Sequence, residues 1–120
     1  MATVVVDSAL AVHRVLGPGL LESTYTAALA IELTERQVPF VLEQPIEGRY
    51  RGRTLGVAYR ADVVVDGRLL LEIKAVSALE PVHAAQLLSY LRLAGMKLGL
   101  LLNFNVPRMK AGIRRIVNGL

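Results

Sequence analysis

The 120-residue chain contains no cysteine. Disulfides, thiolate zinc sites and cysteine nucleophiles are therefore excluded. Two histidines, His13 and His83, are too few for a multi-histidine metal centre. No glycine-rich phosphate loop and no Ser-His-Asp arrangement is present. No internal repeat, linker or low-complexity stretch interrupts the chain. Its first twenty residues are apolar but broken by Asp7, His13 and Arg14, which suits neither a signal peptide nor a membrane span. The expectation is a cytoplasmic protein with no membrane association. Acidic residues are missing from the whole C-terminal third. After Glu80 there is none, against Arg92, Lys97, Arg108, Lys110, Arg114 and Arg115. A region of one sign is compatible with a polyanion such as DNA or RNA, and equally with a solvated basic surface.

What is present fits a compact protein. Hydrophobic residues make up 53% and charged residues 20%, with a net charge of +4. The length predicts one domain over residues 1–120. Val5, Ala9, Val12 and Leu16 recur at helical spacing and predict a helix over 3–16, ended by Gly17-Pro18-Gly19. Leu21, Tyr25, Leu29 and Leu33 predict a second helix over about 20–36. Residues 40–50 read as an edge strand, 55–65 and 68–76 as the next two strands. Glu80-Pro81 opens a helix that Gly95 closes. The apolar run 98–104 reads as a buried strand, parallel to 68–76 across the intervening helix. Residues 113–117 are expected to add a last edge strand. The fold class is α/β (α+β), a mixed central sheet with helices on both faces.

The stretch Asp62 to Lys74 places two apolar runs around Asp66-Gly67, a strong hairpin signal. Asp62 enters the first run; Glu72 and Lys74 stand in the second among Leu, Ile, Ala and Val. Strand side chains alternate, so Glu72 and Lys74 point the same way. Charges in a buried strand require partners. A strict two-residue loop would put Asp62 on the opposite face from Glu72; a three-residue loop or one bulge puts Asp62, Glu72 and Lys74 together. The odd loop is expected, with Leu70, Val64 and Val76 on the charged face. On the other face stand Val63, Val65, Leu69, Leu71 and Ile73. Such a cluster is either a structural ion pair or a seat for a hard divalent cation acting on a phosphate. Two acids with one base leave excess negative charge, which favours the cation.

The order helix, three antiparallel strands, helix, strand, with Asp62 in the second strand and Glu72-x-Lys74 in the third, resembles the PD-(D/E)XK nuclease superfamily. Gln86-Leu-Leu-Ser-Tyr90 is similar to the Q-x-x-x-Y element of its RecB-like branch. Gly19-Leu-Leu-Glu-Ser-Thr-Tyr25 resembles the signature of the GxxExxY protein family. Residues 12–20, 59–62, 72–76 and 99–104 extend the likeness over nearly the whole chain. Ala61 stands where the superfamily name has proline, a position that is not a ligand.

The resemblance implies a restriction-endonuclease-like αβββαβ core. It implies Mg²⁺ or Mn²⁺ held by Asp62 and Glu72, with the Ile73 carbonyl as a third ligand and Glu22 at the metal shell. It makes Lys74 the residue that positions water or stabilises the transition state, with Gln86 and Tyr90 supporting. Glu22 has a plainer reading as a carboxylate at a helix N-terminus, and Tyr25 as a core tyrosine. His83 is a candidate acid or base only in principle, and His13 is expected to pack or to cap the Gly-Pro-Gly turn. Arg60, Arg114 and Arg115 are candidate nucleic-acid contacts. Arg49, Arg51 and Arg53 cluster with Arg60 around a turn as phosphate contacts; no aromatic residue is expected to interleave with them, and so no base stacking.

Three functions compete. The first is a metal-dependent nuclease on DNA, with RNA as a second substrate. The second is a non-catalytic nuclease-like module that binds nucleic acid or protein within a larger complex. The third is a structural oligomeric domain with internal ion pairs. A homodimer or a partner subunit is expected to supply selectivity in so small a chain.

Overall fold

The computed structural model describes residues 1–119. Its elements in chain order are α1 (Ala2–Leu16), α2 (Glu22–Glu35), β1 (Phe40–Tyr50), β2 (Arg53–Val65), β3 (Leu69–Lys74), α3 (Pro81–Ala94), β4 (Leu98–Asn103), a 3-10 turn (Met109–Gly112) and β5 (Ile113–Val117). Each long element starts and stops for a local reason. Gly17 at φ 66° ends α1, a conformation that a side chain disfavours. Pro81 occupies the first turn of α3, where its missing N–H is no loss. Glu80 and His83 form a reciprocal capping box there, the Glu80 N–H donating to His83 Nδ1 at 2.9 Å. His83 is thus committed to the helix end. Gly95 in the left-handed region closes α3.

The five strands form one sheet in the order β1-β2-β3-β4-β5. Adjacent pairs are antiparallel except β3 and β4, which run parallel across α3. All of β3 except Lys74 and all of β4 except Leu98 are buried, because helices cover both faces. One core layer joins Val5, Ala9 and Val12 of α1 and Tyr25, Leu29 and Leu33 of α2 to Val63, Val65, Leu69, Leu71 and Ile73. The other joins Leu87 and Leu91 of α3 to Val64, Leu70 and Leu101. The two faces of the central hairpin are divided as the odd loop requires. Pairing of Val65 with Leu69 leaves Asp66, Gly67 and Arg68 as a three-residue loop.

The Gly-Pro-Gly turn is closed by Tyr25, not by His13. The Tyr25 hydroxyl donates to Gly17 O at 2.6 Å and accepts from Leu20 N at 3.1 Å. Its ring is fully buried and stacks on Phe104 at 4.6 Å. His13 is buried elsewhere, its Nε2 2.7 Å from Val106 O. The turn that leads into Glu22 is therefore anchored to the end of β4.

Candidate active site

The β2–β3 ladder ends at Val63 and Leu71. One step further the register would set Asp62 against Glu72, but the strands part there. The Ile73 N–H, which a continuing ladder would have given to a carbonyl, donates to Asp62 Oδ2 at 2.8 Å. Asp62 also marks a change of sidedness in β2. Val63 belongs to the α1–α2 core, whereas Ala61 and Tyr59, two and four residues earlier, pack with α3. Its neighbour in the β1 register is Glu43, whose φ is 47°. A carboxylate is thereby lodged in a gap in the sheet, able to reach both β3 and solvent. It lines a cleft of about 530 Å³ with Glu22, Ser23, Thr26 and Ala27 of α2 and with Leu42 and Glu43.

Glu72 lies on the α3 face and is 7% exposed. Its Oε1 is buried without a hydrogen-bond partner, a situation that costs about 1–3 kcal/mol for a polar atom and more for a charged one. Burial first, then the adjacent Asp62 charge and a proton shared with it, push its pKa up to about 8; Lys74 opposes the shift. Among the described residues Lys74 forms no ion pair. The three ion pairs among the described residues, Arg36–Glu32, Arg49–Glu47 and Arg68–Asp66, are on the surface and involve none of the site residues. The structural ion pair considered from the sequence is thus not formed. What exists is a carboxylate couple with an uncommitted ammonium beside it.

The surrounding residues hold this strand end in place. Lys74 O accepts from Phe104 N at 3.0 Å. Asn103, level with Lys74 in the parallel register, is buried and clamps the chain beyond it. Its side chain accepts from Val76 N at 3.1 Å and Asn105 N at 3.2 Å and donates to Val76 O at 3.0 Å. Glu22, first residue of α2, accepts from Ala75 N at 3.3 Å. It combines the helix-end position with a bond to the backbone just past Lys74, and shares the Asp62 cleft. Among the described residues no three acids or histidines form a metal cluster. The couple Asp62–Glu72 stands on its own, with Glu22 at the rim.

Tyr90 is half-buried on α3 and stacks on Tyr59 of β2 with ring centroids 3.7 Å apart. The Tyr59 hydroxyl donates to Tyr90 O at 2.8 Å. Burial, then the Glu72 charge, raises the pKa of both phenols above the ordinary tyrosine value. Gln86 is exposed one turn earlier on α3 and opposes the rise at Tyr90. Tyr59 and Asn103 are site residues to which sequence reading gave no role. Both lie in quoted motifs, but their service is to backbone groups, which no side-chain pattern announces. Arg60 is exposed two residues before Asp62. Arg114 and Arg115 line a different cleft, with Glu80, Pro81 and Ala84 at the start of α3. Arg114 already donates to Ala111 O and Ile113 O. The expectation that no aromatic accompanies the arginine turn needs correcting: Tyr50 lies between Arg49 and Arg51 and is 64% exposed.

A family model of the PD-(D/E)XK nuclease superfamily matches residues 1–116. No curated protein and no solved structure matches the chain. The match spans nearly every residue, and the five-stranded mixed sheet with three helices agrees with the core of that superfamily. The chain belongs to the PD-(D/E)XK nuclease superfamily.

Proposed function

We propose that this member of the superfamily hydrolyses phosphodiester bonds in nucleic acid, DNA foremost and RNA as the alternative, with Mg²⁺ or Mn²⁺. The observation that carries the reading is the buried, unpartnered Glu72 Oε1 beside the Asp62 carboxylate and the unpaired Lys74. These donors fit a hard cation. They are oxygen atoms, anionic when deprotonated, and one of them has no other partner. Asp62 and Glu72 would hold the ion, with the Ile73 carbonyl adjacent and Glu22 at the rim. Once bound, it would supply Lewis-acid polarisation of a phosphoryl oxygen.

The protein's own part is positioning and charge. Ile73 N–H fixes one Asp62 oxygen and leaves the other free. Asn103 and the Phe104 N–H hold the backbone around Lys74, so its ammonium is presented at a set height on the strand. From there it can stabilise charge that develops on the phosphate. The Tyr59–Tyr90 stack locks α3 against β2 beside Glu72 and excludes water from that side. Gln86 and Arg60 at the rim, and the basic residues Arg114 and Arg115, offer contacts to the phosphate backbone. The finer likeness to the GxxExxY family and the RecB-like branch rests on residue motifs alone.

The test is cleavage of a mixed panel of DNA and RNA with Mg²⁺, Mn²⁺, Ca²⁺ or EDTA. Cleavage is expected with Mg²⁺ or Mn²⁺ and not with EDTA. A wild type that binds nucleic acid and cation and still cuts nothing would identify a nuclease-like binding module instead.

A further inference from the structure

Beyond the site, β1 and β2 run on as a two-stranded arm. Every residue from Arg49 to Val57 is exposed, so nothing else in the described chain packs on it. An isolated two-stranded hairpin is marginal in water. This one is kept in shape by local devices. Arg51 at φ 51° and Gly52 at φ 78° form the two-residue turn, and Thr54 Oγ1 accepts from Gly56 N at 3.0 Å. The register shifts between Ile46 and Glu47 and between Gly48 and Arg49 add twist.

The arm carries Arg49, Arg51, Arg53 and Arg60, and no acid occurs from Gly48 to Ala61. Among the described residues only Arg49 of these four has an acidic partner, Glu47 at 3.9 Å. Tyr50 pairs directly with Arg53 across the hairpin, so the two side chains leave the same face of the tip. Together with Arg51 they line a shallow cleft of about 430 Å³.

We infer that the arm's tip is a docking site for single-stranded nucleic acid, with an unpaired base stacked on Tyr50 and Arg53 and phosphates on Arg51 and Arg49. This rests on the nucleic-acid reading above and adds a substrate class to it. A ring and a guanidinium plane stack on bases without regard to sequence, and the surrounding charge tracks the backbone. Inside a duplex those base faces are covered by their neighbours, so an unpaired stretch is required. A second copy is a poorer occupant. A two-fold contact would set each arm's arginines against the same arginines of the other. Arg53 lies nine residues from Asp62 on β2, about 30 Å at strand rise. A stacked strand would cover that reach in about nine nucleotides.

The experiment is fluorescence anisotropy with labelled single-stranded DNA of about four and about twelve nucleotides, shorter and longer than the reach, and with blunt duplex, all in EDTA. Tyr50→Ala should weaken binding of the longer strand about tenfold or more, and Tyr50→Phe should bind like wild type. The short strand should bind weakly and respond to neither variant when the active-site end holds it. The double variant Arg49→Ala/Arg51→Ala should flatten the slope of log Kd against log salt by about 1.4, two phosphate contacts at about 0.7 each. Circular dichroism checks that the variants stay folded, which their exposure predicts. Equal binding of the longer strand by wild type and Tyr50→Ala would overturn the inference. So would a preference for blunt duplex that survives the arm variants, or a dimer that Tyr50→Ala dissociates without touching DNA affinity. Cleavage is a separate readout: tip-dependent binding by a protein that never cuts supports the arm and refutes the hydrolytic reading.

Discussion

Replacing Glu72 with glutamine tests the site without requiring a substrate. The carboxyl is 7% exposed, has a partnerless oxygen, and its pKa stands at about 8 against an ordinary 4.5. Below about 4.5 it is protonated in the folded and the unfolded chain alike. Between 4.5 and about 8 the fold keeps a proton that the unfolded chain has released, so stability falls as pH rises. Above about 8 both states are ionised and the loss is complete. The slope within the window is at most about 1.4 kcal/mol per pH unit. Coupling to Asp62 and relaxation around the pair make about 2 kcal/mol over the window a fair expectation. For a chain of this length 1 kcal/mol corresponds to about 4 °C, so wild-type Tm should drop about 8 °C between about pH 5 and pH 8 from this group. Glutamine has the shape of the protonated acid and can still donate to Asp62. Glu72→Gln in EDTA should therefore lack that drop and exceed wild type at about pH 8. Adding Mg²⁺ at that pH should raise wild-type Tm by mass action and leave the variant unmoved. Thermal melts of both proteins across pH, with and without Mg²⁺, read all of this. Parallel pH profiles, or a variant less stable than wild type at about pH 8, would refute the account of Glu72.

Other outcomes follow from single contacts. Asp62→Asn should still accept the Ile73 N–H, so the fold should change by less than about 1 kcal/mol, while Mg²⁺ affinity by calorimetry falls together with activity. Asn103→Ala removes three hydrogen bonds to the backbone beyond Lys74 and should cost about 2–3 kcal/mol by denaturant titration. Activity of the folded variant should fall through kcat more than KM, since Lys74 is mispositioned rather than removed. Tyr25→Phe loses both hydroxyl bonds that close the Gly-Pro-Gly turn but keeps the ring stack on Phe104, for about 1–2 kcal/mol in the same assay. Glu22→Gln should lower activity only modestly if Glu22 acts from the rim, because glutamine can still accept the Ala75 N–H.

Much of the fold was legible because the signals were periodic. Val5, Ala9 and Val12 mark a helix face, and the 98–104 run, apolar but for Asn103, marks a strand covered on both sides. The three-residue loop expected between Val65 and Leu69 is present. Boundaries slipped where polar backbone is satisfied by side chains. The third strand stops at Lys74, not Val76, because Asn103 takes over both polar groups of Val76. The second helix begins at Glu22, not Leu20, because the Tyr25 hydroxyl holds the Leu20 N–H in the turn. The gap at Asp62 was not legible at all. It depends on a reversal of sidedness in β2 and a positive φ at Glu43, and neither residue type signals it. The arginine turn was seen as charge; its isolation from the core, which makes Tyr50 available, is a property of the third dimension.

The central claim is that Asp62, Glu72 and Lys74 perform phosphodiester hydrolysis, and the most direct measurement is cleavage by Lys74→Ala beside wild type in Mg²⁺. The account predicts Mg²⁺-dependent cutting by wild type and a loss of about 10²–10³ in rate in the variant, as for removal of one charge-stabilising donor. Nucleic-acid and Mg²⁺ affinities should stay close to wild type, because Lys74 holds neither the ion nor the bulk of the backbone. Cutting at the wild-type rate by Lys74→Ala, and likewise by Asp62→Asn, would place the chemistry elsewhere and contradict the account.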